Sequence, residues 1–125
     1  MQRVGLIGIL ILQALTHLFW LSPSTHSGQV AIPYMMNRGM VLFGNLWEQH
    51  APGSYLLGAL AQQLLPLEPV LIVKLLNTLL VLLITVFVYR LAIQLTQGNR
   101  LAGLATALVW FWWEPVYGNV MLYFD

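Results

Sequence analysis

The sequence predicts an all-α integral membrane fold: about three transmembrane helices plus a long outer loop carrying short interfacial helices, forming the start of a larger multi-span bundle. Three observations predict it. Only 7% of the 125 residues are charged while 59% are hydrophobic, whereas soluble domains carry about 25% charged residues. The apolar residues fall in long runs rather than alternating with polar ones, which is the pattern of segments solvated by lipid. Three of the five basic residues fall at one end of those runs and the acids and tryptophans at the other, with Arg38 and Lys74 on the acids' side, a modest bias in the direction of the positive-inside rule and the interfacial aromatic belt.

The elements follow in order. Residues 4–21 form the first apolar run, preceded by Arg3 and interrupted by Gln13, Thr16 and His17. Its length favours a retained span over the shorter apolar core of a cleaved signal, and no small-x-small cleavage site follows it. Residues 22–69 form the outer loop. Within it, Ser27 is expected to cap a short helix over Gly28–Arg38, with Gly39 as its stop, although Pro33 lies inside that stretch. Residues 55–65 are apolar but too few for a crossing, so they predict an interfacial or re-entrant helix, capped by Ser54 and ended by Pro66 and Pro69.

The second span covers residues 70–95. Lys74 and Arg90 sit near its ends, about 24 Å apart at 1.5 Å per residue, and both can snorkel outward from a hydrocarbon core. Asn77, Thr78 and Thr85 are its polar exceptions and read as helix–helix hydrogen-bonding groups. Residues 97–100 supply a tight turn through Gly98 and Asn99. The third span covers residues 101–116, and a fourth apolar segment begins at 120–125.

If the runs cross in alternation, Arg3, Arg90 and Arg100 share one side, which the positive-inside rule makes cytoplasmic. The expected location is the plasma (inner) membrane, multi-pass, with a cytoplasmic N-terminus and the 22–69 loop outside. All five tryptophans (Trp20, Trp47, Trp110, Trp112, Trp113) and all four acids (Glu48, Glu68, Glu114, Asp125) then fall at or beyond the outer interface.

A net charge of +1 and the lack of any basic stripe give no basis for a nucleic-acid partner. The absence of cysteine excludes disulfides and thiolate metal sites. Glu48 and His50, one residue apart, are a weak two-ligand signal for a divalent metal, and no cofactor is required. The densest group of chemically capable residues is Trp47-Glu48-Gln49-His50-Ala51-Pro52-Gly53-Ser54-Tyr55. It also reads as an ordinary interfacial loop with solvated side chains.

The order His26-Ser27-Gly28, a stretch ending at Arg38-Gly39, the Trp47–Tyr55 motif, Lys74 at the head of the next span and Asp125 at the head of a fourth resembles one family. It is similar to the start of the GT-C superfold membrane glycosyltransferases that use polyprenyl-phosphate sugars, the family-39-like group of protein mannosyltransferases and aminoarabinose transferases. Three positions depart from that pattern: His26 stands for the family's loop acid, His50 for its motif lysine and Ala51 for its first motif proline. The resemblance implies sugar transfer, with inversion, from a polyprenyl-phosphate donor to a lipid, glycan or protein acceptor on the outer face. It implies His26 as candidate base, since inversion needs a group to take the acceptor proton and imidazole titrates near neutrality. Glu48 and Asp125 would complete the catalytic set by ordering the loop or acceptor. His50, Lys74 and Arg38 would hold the departing phosphate. Loss of the family's acid at position 26 also fits altered or absent activity, and the chain by itself is expected to be inactive. The alternative is a non-catalytic multi-span membrane component, either an accessory subunit or part of a transporter. A transporter is the weaker version, because its charges would sit at the bilayer midplane.

Overall fold

The computed structural model describes residues 2–20, 27–46 and 52–117. Among these the chain is all-helical: α1 (Gln2–Leu15) runs into a π-helical segment, π1 (Thr16–Trp20), and α2 (Ser27–Met36), α3 (Pro52–Leu64), α4 (Pro69–Leu95) and α5 (Arg100–Tyr117) follow. The only β feature among the described residues is an isolated bridge between Leu42 and Leu46.

One helix, α4, is long and apolar enough to cross a membrane. Its 27 residues reach a mean hydropathy of 2.6 in their most apolar stretch, and only 28% of that stretch is buried. The core helix of a soluble protein is mostly buried, whereas most of this stretch is left uncovered by the rest of the described chain. Leu71, Leu75, Leu79, Leu83, Phe87, Leu91 and Leu95 all stand exposed along it.

The other two apolar runs fall short of that test. The first gives an apolar helical stretch over Val4–Phe19, which is shorter than a full span. In the third, α5 carries Arg100 at its start and three tryptophans, Glu114 and Pro115 toward its end, which lowers its hydropathy. Three spans are therefore not established by length and composition in the folded chain. Residues 120–125, read as a nascent fourth segment, lie outside the described residues.

Helix boundaries differ from expectation where proline and serine compete. Ser27 is the first helical residue of α2 rather than a residue preceding it. Ser54 lies in the first turn of α3, which begins at Pro52. Proline suits that position because the first helical N–H has no partner anyway and φ is already set. Pro69 likewise opens α4 rather than ending α3. Pro33 is accommodated inside α2.

The described residues form two compact units. One contains α1, π1, α4 from Thr78 onward, and α5; the other contains α2, α3 and the head of α4 to Asn77.

In the first unit, α4 and α5 are joined by a hydrogen-bonded turn. Gln97 and Gly98 adopt φ of 53° and 94°, and the Gly98 N–H donates to the Ile93 carbonyl at 2.8 Å, closing the end of α4. The Asn99 side chain then accepts from the N–H groups of Leu101 and Ala102 at 3.0 and 3.3 Å, capping α5. Close approach of the two helices depends on Gly103, where a β-carbon would lie 2.8 Å from Ile93 and 2.9 Å from Tyr89. The first helix meets α5 at Gly5, whose missing β-carbon would sit 3.4 Å from Leu104. It meets α4 through a buried polar pair: the Thr85 hydroxyl donates to Gln13 Oε1 at 2.6 Å and lies 2.8 Å from the Val81 carbonyl. Gln13 is 1% exposed and Thr85 fully buried, so Thr85 is a helix–helix hydrogen-bonding group, as its place inside an apolar run suggested.

In the second unit, α2 packs on α3. Tyr55, Gly58 and Ala59 form the buried face of α3, and a β-carbon at Gly58 would be 2.9 Å from Pro33. The opposite face leaves Leu56, Leu57, Leu60 and Leu64 exposed.

Candidate functional site

Of the residues singled out from sequence, His26, Glu48, His50 and Asp125 lie outside the described residues. The structure places Arg38 and Lys74, both in the unit that holds α2 and α3.

Arg38 follows α2, in the turn 37–39 that closes at Gly39 with a φ of 92°. The Gly39 N–H donates to the Met36 carbonyl and the Met40 N–H to Met35, at 3.0 and 3.2 Å, so glycine does end this segment, as read from sequence. Four residues separate Tyr34 from Arg38, which brings their side chains together on one face. Arg38 Nη2 donates to the Tyr34 hydroxyl at 2.7 Å, and the guanidinium carbon stands 5.0 Å from the Tyr34 ring centroid, within cation–π range. Among the described residues one donor of five is engaged, and the exposed guanidinium has the planar donor fork suited to a two-point grip on an oxyanion.

The neighbouring residue fixes this turn to α3. Asn37 Nδ2 donates to the Ala59 carbonyl at 3.1 Å, and Asn37 Oδ1 accepts from Gln63 Nε2 at 2.8 Å. Gln62 Nε2 reaches the Val30 carbonyl at 3.5 Å. Arg38 therefore extends from a turn that is hydrogen-bonded on both sides rather than from a mobile tip.

The next segment is also internally bonded. The Val41 carbonyl accepts from the N–H groups of Gly44, Asn45 and Leu46 at 3.0, 3.0 and 3.2 Å. Asn45 Oδ1 accepts from the Val41 N–H at 2.6 Å. Phe43 is held at a φ of 64°, a conformation that bulky residues adopt only under constraint from their surroundings. This loop leads in sequence directly to Trp47.

Lys74 lies near the start of α4 and is half-buried. Glu68 is exposed just before that helix, and its carbonyl accepts the Ile72 N–H at 3.0 Å, consistent with a solvated turn. His17 falls within π1 and is half-buried. Among the described residues no three His, Cys, Asp or Glu side chains gather as a metal centre; the Glu48/His50 pair is outside that set.

Sequence reasoning missed Tyr34, Asn37, Gln62 and Gln63. The Tyr34–Arg38 spacing was a readable signal. The adjacent glutamines in an otherwise apolar helix were a second one, since polar side chains there need partners. Compared with known protein families, curated proteins and solved structures, the chain matches none.

Proposed function

We propose that this chain is part of a multi-pass membrane glycosyltransferase that moves a sugar from a polyprenyl-phosphate donor to an acceptor on the outer face. One observation carries the reading: the order of elements. Between the first apolar helix and the Lys74-headed α4 stand two short packed helices, α2 closing at Gly39 and α3 with Tyr55 buried. The outer loop of the glycosyltransferases that the sequence resembles follows the same order. In this proposal α1 with π1, α4 and α5 cross the inner membrane, the N-terminus is cytoplasmic, and residues 22–69 lie outside. His26 takes the acceptor hydroxyl proton, while Glu48 and Asp125 orient the loop and acceptor. Arg38, His50 and Lys74 hold the departing lipid phosphate. The exposed guanidinium of Arg38, anchored by Tyr34, has the donor geometry for such an oxyanion grip.

The test is transfer from a panel of polyprenyl-phosphate hexoses and pentoses by the complete gene product in proteoliposomes. Glu48→Gln is expected to lower kcat/KM about 100-fold, the scale of a lost acid–base or acceptor-orienting group. Unchanged transfer by Glu48→Gln would remove that residue from the mechanism. A correctly inserted wild-type protein that transfers from no donor would leave the second reading, a non-catalytic multi-span component. One observation favours that reading: histidine replaces the family's loop acid at position 26.

A further inference from the structure

In the unit formed by α1, α5 and α4 from Thr78 onward, three side-chain features stand out together. The Gln13 Nε2 and Trp110 Nε1 donors are both buried with no acceptor among the described residues. The Thr85 hydroxyl has two acceptors within reach, Gln13 Oε1 at 2.6 Å and the Val81 carbonyl at 2.8 Å, yet it owns a single proton. An unmet buried donor costs about 1–3 kcal/mol, and in an apolar surrounding no solvent relieves it.

The packing contacts set the three groups within about 3–6 Å of one level at 1.5 Å per residue. Gly5 meets Leu104, Gly103 meets Tyr89 and Ile93, and Gln13 meets Thr85. These fix α1 and α5 as running in the same sense, with α4 opposed. From the Gly5–Leu104 layer, Gln13 lies about 12 Å along α1 and Trp110 about 9 Å along α5 at 1.5 Å per residue. Thr85 lies between about 6 and 12 Å along α4 from Tyr89 and Ile93 on the same scale. Trp110 also continues the buried face of α5, since Gly103, fully buried Ala107 and Trp110 recur at helical spacing.

We propose that Trp110, Gln13 and Thr85 form a hydrogen-bonded relay that ties α5, α1 and α4 together at that level. The two ends of the Gln13 carboxamide are nearly identical in shape. Turned by half a rotation, its oxygen accepts from Trp110 Nε1–H and its Nε2 donates to Thr85 Oγ1. The Thr85 proton is then left for the Val81 carbonyl. One rotation thus satisfies both unmet donors and removes the competition at Thr85. The relay is independent of sugar transfer and belongs to the three-helix unit under either functional reading.

The test uses the intact protein in detergent micelles, with tryptophan labelled by nitrogen-15 at the indole and the Trp110 signal identified by its loss in Trp110→Phe. The indole proton is expected to exchange slowly with solvent, and Gln13→Met, which keeps length but lacks the amide, is expected to move its chemical shift. In a double-mutant cycle of Gln13→Met and Trp110→Phe, the unfolding equilibrium should show a coupling of about threefold, the average for hydrogen bonds between membrane helices. An indole signal that does not move in Gln13→Met, or two substitutions whose effects simply add, overturns the relay. If Gln13→Met does not fold, fast exchange of the Trp110 indole in the wild type overturns it equally, and slow exchange with coupling of Thr85→Val to Trp110→Phe supports it.

Discussion

At Gly103 a single hydrogen atom is all that fits between α5 and the side chains of Tyr89 and Ile93. A β-carbon there would come within 2.8–2.9 Å of the Tyr89 ring and an Ile93 side-chain carbon, so one of these side chains would have to shift. Gly103→Ala is therefore expected to destabilise the protein by about 1–3 kcal/mol, the usual cost of overpacking. Gly8, in the middle of α1, has open space where its β-carbon would be. Gly8→Ala should act in the opposite sense, adding about 0.5–1 kcal/mol by restricting the unfolded chain and favouring helix. Thermal unfolding of the two variants in the same detergent checks the pair. Equal shifts would show that the contacts at Gly103 do not control stability.

The helices themselves divide into those visible in the sequence and those whose ends or partners were not. The long helix was legible because residues 70–95 are apolar on most sides, with Lys74 and Arg90 confined to the region of its ends. Gly39 and Gly98 were legible as stops because only glycine takes a φ near 90° without strain. The start of α3 was not, because Pro52-Gly53 also spells a turn and Ser54 also spells a cap; the helix uses the proline as its first residue instead. The tie from Asn37 to Ala59 and Gln63 was invisible, since it joins positions 22 and 26 residues apart that no local pattern links. At the candidate site, the link of Arg38 to Tyr34 follows from helical spacing. Asn37→Ala removes both ties at once. At about 1 kcal/mol per bond, backbone amides near the end of α2 should exchange about tenfold faster or more in hydrogen-exchange mass spectrometry, with those of α4 beyond Thr78 unchanged. Unaltered exchange near Asn37 would mean that apolar packing alone holds α2 to α3.

For the whole molecule, the absence of cysteine makes the proposed topology directly readable. Single cysteines at Ser54, in the 22–69 loop, and at Gln97, in the turn after α4, fall on opposite sides of the proposed second crossing. In intact cells, an impermeant maleimide is expected to label Ser54→Cys and to spare Gln97→Cys until the membrane is opened. The reverse pattern would invert the proposed orientation, and labelling of both without permeabilisation would remove the crossing. The folded chain already supplies one helix of sufficient length and hydropathy. Its neighbours α1 and α5 lie alongside it in the opposing sense, which is the arrangement that successive crossings require.

The turn between α4 and α5 has one more implication. Its backbone is stitched at both ends, by Gly98 to Ile93 and by Asn99 to the first N–H groups of α5, so the link has no slack. Sliding of α5 along its neighbour would also carry Gly103 away and press a bulkier side chain against Tyr89. From Thr78 onward α4 is thereby keyed to α5 in a single register, set by the turn at one end and by Gly103 one helical turn beyond it.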